Sequence, residues 1–451
     1  MRASRDEVVR RGRRDSWRVT VCGVRARDAL TSNMRTHGVV LALGAGDAST
    51  DALLIDNSSR FLLECGLQPL VYHAVRAIAS MKRHACAGIT VVAAGDAHAG
   101  VLRDCIASWR ANDGAGIFPA NVAIDVMAVD EDADTARALA AAETSVDART
   151  TTLVVIHGDV VTDVPLDDVL SHHMCAQAMA TCALAGKRLW DVVETKAGRA
   201  PKGMRYVGVD ADEQKVVLLA GGERDEAMKR LKLHRSALNS NAEMVIRTDL
   251  TDTKIYALEA RETFALLNDK PYLRSVQFDL MPYLCAEQFR SESARAVAAF
   301  MVKPEHYCVV VDSAKPALLE ASREITSEFH HLNDKPLSKY DNVVDGSTVI
   351  GAKSTIGPGC AVGAQCSFKE KCSVKKSVIL SECEVGAGVK IINSLILRGA
   401  QIGDGAQIQG SIIGPSAVIG AHATVKDSIV GAQYEVESDD DITSETLKRK
   451  D

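Results

Sequence analysis

The C-terminal third of this chain restricts its fold more than any other part. Apolar residues recur at Ile350, Ile356, Val362, Phe368 and Val374. They continue at Ile379, Val385, Ile391, Ile396, Ile402, Ile408, Ile413, Ile419, Val425, Val430 and Val436. The step is six residues, with a five before Ile379, Ile396, Ile413 and Val430. These four lie 17 residues apart, and each closes a triplet of Ser and two apolar residues: SVI, SLI, SII, SIV. Two positions ahead of nearly every apolar residue stands a small one, such as Cys360, Cys366, Cys372, Ser377, Cys383, Ser394, Ala400 or Ala406. This period is the signature of a left-handed parallel β-helix. Three short strands form one triangular coil, each turning one apolar side chain inward past a small corner residue. Coils then stack at roughly 4.8 Å. A five-residue step shortens one side, so one coil here takes 17 residues.

Ahead of the repeat, from Gly38 to about Leu184, short apolar runs alternate with helical spacing. Residues 39–43, 89–94, 123–129, 151–156 and 176–184 read as strands. Residues 69–81, 135–142 and 166–173 read as helices, the first with Leu70, Ala74, Ala77, Ile78 and Met81 on one face. Alternation of this kind predicts an α/β, doubly wound, Rossmann-like domain: a mostly parallel sheet covered by helices on both sides. Further strands are expected at 215–219, 244–247 and 254–258, and a helix at 259–267. HHLNDKPLSKYDN, with Pro336, reads as a linker. The expected organisation is an extension at 1–36, an α/β domain at 37–325, a linker at 326–342, the β-helix at 343–437 and a polar tail at 438–451.

The whole chain of 451 residues has a net charge of -6. Residues 1–36 hold ten arginines against four acids, so the remainder carries about -12. Asp6, Glu7, Asp15 and Asp28 make this segment unlike an Arg-rich transit peptide, and it reads as a disordered extension. An acidic body gives no reason to expect nucleic acid as a partner. No apolar run reaches the ~18 residues of a membrane span. Twelve cysteines without a CxxC pair argue against a zinc site and fit a reducing cytosol.

Ligands in doubly wound sheets sit beyond the carboxyl ends of the strands. Two loops are expected there. LALGAG, residues 41–46, carries Gly44 and Gly46. Backbone N–H groups at such a turn bind phosphate. Nucleotidyl transfer also needs cations for the leaving pyrophosphate, yet Asp47 and Asp51 follow, and the next basic residue is Arg60. The loop therefore reads as a phosphate cradle or as a structural turn. HGDVVTD, residues 157–163, places Asp159 after a glycine. Asp159 reads as a Mg²⁺ ligand beside a phosphate or as a buttress of the following turn. Cys360, Cys366, Cys372 and Cys383 follow the repeat and read as structural. His422 stands at a turn without an insertion to build an acyl-donor pocket.

An α/β domain followed by a hexapeptide β-helix resembles two groups. One is the sugar-nucleotide pyrophosphorylases, such as mannose-1-phosphate guanylyltransferase. The other is the gamma and epsilon subunits of eukaryotic translation initiation factor 2B. The resemblance covers about residues 38–436. The pyrophosphorylase loop runs Gly-x-Gly-x-Arg, then Pro-Lys beside Leu-Leu-Pro. Here Ala48 takes the arginine position, Arg60 the lysine position, and Ser59 and Glu64 the proline positions. The gamma subunit is the closer match. SVQFDLMPYLCAEQF (275–289) resembles that family's run ending in Pro-Tyr-Leu and Gln-Phe, and HGDVVTDVPLDDVL (157–170) resembles its Asp-Leu-Ile-Thr-Asp region. VKIINSLIL and AQIQGSIIG resemble its coils. The sequence ends about 15 residues after Val436, without the helical exchange domain of epsilon, so gamma is expected.

The resemblance implies a nucleotidyltransferase-like domain and a non-catalytic, regulatory subunit of a guanine-nucleotide exchange complex in the cytosol. It implies the epsilon subunit, the other subunits and the GTP-binding initiation factor 2 as partners. No catalytic residue, metal or cofactor is expected, with Gly44, Gly46, Arg60 and Asp159 forming a vestigial nucleotide pocket. The alternative is a sugar-nucleotide pyrophosphorylase in which Asp159 holds Mg²⁺ and Arg60 replaces the lysine.

Overall fold

The computed structural model describes residues 35–449, apart from 45–46, 56–57, 85, 112–115, 121, 189, 191–203, 222–234, 241–242, 291–294 and 334. The Arg-rich segment thus lies almost wholly outside the described residues. The main sheet has seven strands: β1 (Thr36–Ala42), β2 (Cys86–Ala94), β3 (Ala123–Val129), β4 (Thr152–His157), β5 (Ala180–Gly186), β6 (Leu250–Glu259) and β7 (Val297–Met301). Their order is β7-β5-β6-β4-β1-β2-β3. Neighbours pair in parallel, except that β6 runs antiparallel to both β4 and β5.

The period of two along each strand decides which helices it meets. Val40, Val154 and Ile156 share one core with helices α1 (Leu70–Ala79), α2 (Gly95–Ala111) and α4 (Leu166–Ala176). Val39, Leu41, Leu153 and Val155 point the other way, onto α3 (Thr135–Ala141), α5 (Ala260–Asp269) and α6 (Met281–Glu287). β1 is buried along its whole length, which is why it reads as a continuous apolar run. After α6, helix α7 (Leu319–Ser327) leads toward the C-terminal domain.

The β-helix consists of three parallel sheets of seven, six and six short strands. Ala361, Val378, Leu395, Ile412, Ile429 and Thr446 stack in one column, one 17-residue coil apart. Inside lie the residues of the repeat, among them Val374, Ile391, Ile408 and Val425. Left-handed backbone marks the corners: Lys376, Asn393 and Asp427 have φ of 47, 53 and 49. Asn393 N–H donates to Lys375 O and Asp427 N–H to Gln409 O, one coil back. Such hydrogen bonds offset the cost of that conformation in a residue other than glycine.

The short side of each coil explains the SVI-type triplets. Ser377, Ser394, Ser411 and Ser428 are fully buried and form a ladder: Ser394 N–H donates to Ser377 Oγ (3.1 Å), Ser411 N–H to Ser394 Oγ (3.3 Å) and Ser428 N–H to Ser411 Oγ (3.1 Å). The third residue points inward. The second points out of the coil, yet Val378, Leu395, Ile412 and Ile429 are buried. They pack with Leu53, Leu63, Leu70, Leu318 and Ile325 in a core shared with the α/β domain. This outer face of the β-helix is therefore covered and not exposed to water.

The coils also run past residue 437, where the sequence reading placed a polar tail. Asp441–Thr443 pairs with Thr424–Lys426, and Thr446–Leu447 with Ile429–Val430. Ile442 and Leu447 continue the inward positions at steps of six and five, while Glu437, Asp439, Asp440, Asp441 and Glu445 fall on exposed positions.

Leu395→Ala should lower stability by about 2–4 kcal/mol in urea denaturation, as for a core leucine. Gln401→Ala, exposed on the neighbouring side, should stay within roughly 0.5 kcal/mol.

Candidate functional site

The carboxyl ends of β1 and β4 meet where Gly158 N–H donates to Leu41 O at 2.9 Å. Gly158 is required there: a Cβ would stand 2.9 Å from Phe61 and 3.3 Å from Ala42 Cα. Beyond Leu41, Gly44 turns the chain with φ +113, a conformation that L side chains avoid. Gly46 lies outside the described residues. Asp47 then caps the short helix Ala48–Asp51, accepting from Thr50 N–H at 2.8 Å and from the Ser49 hydroxyl. Burial raises its carboxyl, and the bonds from Ser49 and Thr50 more than reverse this, leaving it below the ordinary range. The acid that stands in the phosphate-loop sequence is therefore turned back to its own helix.

Asp159 is fully buried at the end of β4. Its Oδ2 accepts from Arg60 Nη2 at 2.9 Å and from Lys254 Nζ at 2.8 Å. Burial alone would raise this carboxyl; Lys254 and Arg60 outweigh it and hold Asp159 well below the usual carboxylate range. Arg60 starts the 3₁₀ turn Arg60–Leu62, its guanidinium 4.6 Å from the Phe61 ring centre. Lys254 sits within β6, where the register with β5 breaks between Asp252 and Tyr256. It has φ 57, and Lys254 N–H donates to Asp252 Oδ1 at 2.9 Å. Asp252 also accepts from Tyr256 Oη at 2.7 Å and faces the Cys182 thiol at 3.5 Å.

The structure thus brings Arg60 and Asp159 into direct contact and adds Lys254, which sequence reasoning did not single out. The available signal was LTDTKIYALE, an apolar strand interrupted by an acid and a base. Arg60 and Lys254 together outweigh the single charge of Asp159, while the buried Asp252 carboxylate is engaged by Tyr256 and the Lys254 N–H. Asp159 Oδ1, Arg60 Nε and His157 Nε2 remain without hydrogen-bond partners among the described residues. This arrangement fits a divalent cation poorly, because an ion at Asp159 would face Arg60 and Lys254. Its two cations suit an anion.

The other candidates lie elsewhere. Cys360, Cys366, Cys372 and Cys383 are buried inside the β-helix, where the thiols of Cys366, Cys372 and Cys383 point to carbonyls one coil on. His422 is exposed at a corner with φ 59. No group of three or more metal-ligating residues occurs among the described residues. No described helix is long and apolar enough to cross a membrane.

The C-terminal domain has a counterpart among known proteins. Residues 340–442 match the family model described as the EIF2B subunit epsilon LbH domain. The match supports a protein of the initiation factor 2B family. It covers the β-helix and leaves the α/β domain unmatched, and being to an epsilon domain it does not single out gamma. No curated protein matches the chain.

Asp159→Asn should destabilise the fold by about 3–5 kcal/mol in chemical denaturation, because two buried cations lose their counter-charge. His73 and His157 are buried, and burial first, with Lys254 second for His157, lowers them to about 4 and about 3 from 6.5. Both are neutral in the fold, so below about pH 6.5 the unfolded chain binds the extra protons and stability falls. The slope is roughly 1.4 kcal/mol per pH unit for each histidine. His157→Gln should make the decline between pH 6 and pH 4 shallower by about one proton in stability–pH curves.

Proposed function

We propose that this chain is a non-catalytic, structural and regulatory subunit of the guanine-nucleotide exchange complex that serves the GTP-binding initiation factor 2. Among the subunits it corresponds to gamma. The observation that carries the reading is Asp159 with Arg60 and Lys254 on one oxygen. A pyrophosphorylase would use Asp159 to hold Mg²⁺ beside a triphosphate. Here that carboxylate is already over-neutralised, and Ala48 replaces the loop arginine.

The match of the β-helix to an initiation factor 2B domain supports the family. The runs SVQFDLMPYLCAEQF and HGDVVTDVPLDDVL support gamma by resemblance. Two sides of the β-helix present polar, exposed residues such as Glu384, Gln401, Lys390 and Gln407, which leaves them free for other subunits. The first coil exposes Val349 at 66% and Ile350 at 44%, the kind of apolar surface that partners cover. The epsilon subunit is the proposed direct partner, in the cytosol, with no nucleic acid or membrane involved.

Mass spectrometry of the tagged full chain, isolated under gentle conditions, should recover an epsilon-like subunit. Isolation of the chain alone counts against the reading. The purified chain should release no pyrophosphate from GTP and mannose 1-phosphate with Mg²⁺. Mg²⁺-dependent release of pyrophosphate by the purified wild-type chain would establish the pyrophosphorylase instead.

A further inference from the structure

The segment between β1 and α1 carries Arg60, and the β-helix holds this segment at both ends. At its start, Ala432 N–H of the β-helix donates to Ala52 O at 2.8 Å. Gly431 permits that approach: a Cβ there would stand 2.9 Å from Ala52 O and 2.6 Å from Leu447 O. Leu53 is buried in the same core as Ile412 and Ile429. At its end, Arg398 Nη2 donates to Glu64 Oε1 at 2.6 Å. Leu63 and Cys65 are buried in the core that holds Leu395 and Leu397. A third tie runs through the chain that follows β7. Ala314 N–H donates to Ser49 Oγ at 3.2 Å, and Lys315 Nζ donates to Gly410 O at 2.9 Å.

Between these anchors, Arg60 reaches Asp159. Fixed ends restrict what the middle can do. The entropy of holding a flexible loop in one conformation is lost once, when the two domains dock. Without the β-helix, the core that holds Leu53, Leu63 and Cys65 would lose Leu395, Leu397, Ile412 and Ile429, and with them much of its apolar cover.

We propose that the β-helix is a conformational clamp on residues 47–55 and 58–65, coupling its own docking to the placement of Arg60 on Asp159. Coupling of this kind is reciprocal. A partner that shifts the short side of the coils loosens Arg60, and an anion that engages Arg60 and Lys254 alters the hold on the β-helix. Glu64 makes the clamp sensitive to Arg398. Burial raises its carboxyl, and Arg398 is the first influence that opposes this. This inference rests on the contacts between the domains and not on the subunit reading above.

Hydrogen exchange read by mass spectrometry on the full chain tests it. Arg398→Ala should speed exchange across 50–65 by about tenfold while β2, β4 and the inner coils keep their rates. Arg398→Lys should give a smaller increase. The reversed pair, Arg398→Glu with Glu64→Arg, should restore part of the protection, because Glu382, which Arg398 Nη1 also meets at 3.4 Å, would then face a carboxylate. Ile396→Ala, one residue inside the coil, serves as the comparison and should speed exchange in the coils more than at 50–65. Wild-type exchange at 50–65 in Arg398→Ala would overturn the clamp. A rise spread evenly over the whole chain in both Arg398 variants, without recovery in the reversed pair, would overturn it equally.

Discussion

The union of the two domains depends on the short side of the coil, whose outward residues are apolar and buried. On that side the three positions have separate tasks. Serine bonds to serine along the inner corner, an isoleucine or valine fills the interior, and the residue between them points outward. Because that outward residue is apolar in coil after coil, this side cannot face water at low cost. It becomes a flat apolar strip: Val378, Leu395, Ile412 and Ile429. The α/β domain covers the strip with Leu53, Leu63 and α7, and the two domains share a core. On the other two sides the outward residues are mostly polar and exposed, such as Glu384, Gln401, Lys390 and Gln407.

The docking has an electrostatic counterpart at the sheet end. Arg60, Asp159 and Lys254 come from three separate parts of the chain, and the low dielectric of the site makes their mutual attraction strong. A buried carboxylate with one cation would be balanced. With two it is outweighed, and this is the main physical contrast with a site built to hold Mg²⁺ on a carboxylate. Lys254 adopts left-handed backbone within a strand to reach Asp159, a conformation kept only where the surroundings hold it. The bond from its own N–H to Asp252 is part of that hold.

Much of the fold was legible because its signals are local and periodic. The hexapeptide step named the β-helix, and strand–helix alternation named the doubly wound sheet. The acids after Gly44 invited a reading as phosphate-repelling charges, yet Asp47 caps the helix that follows it, as residues of its type do. The expected tail at 438–451 failed for a related reason. Acids at outward positions hid a coil that Ile442 and Leu447 still fill from inside. The triplets SVI, SLI, SII and SIV were visible too, but only as spacing. Their middle residue carries the interface, and nothing in spacing tells an outward apolar side chain that will be covered from one that will not.

The sequence by itself determined what repeats: the coil, its 17-residue length, its inward residues, and a sheet with helices on both faces. Each follows from a rule that acts over a few residues and is written many times. Only the tertiary structure decided which side of the β-helix is buried and which charges meet. Arg60, Asp159 and Lys254 carry no period, and they meet because the sheet order places β4 between β1 and β6. Strand order depends on how whole layers pack, so no local pattern records it.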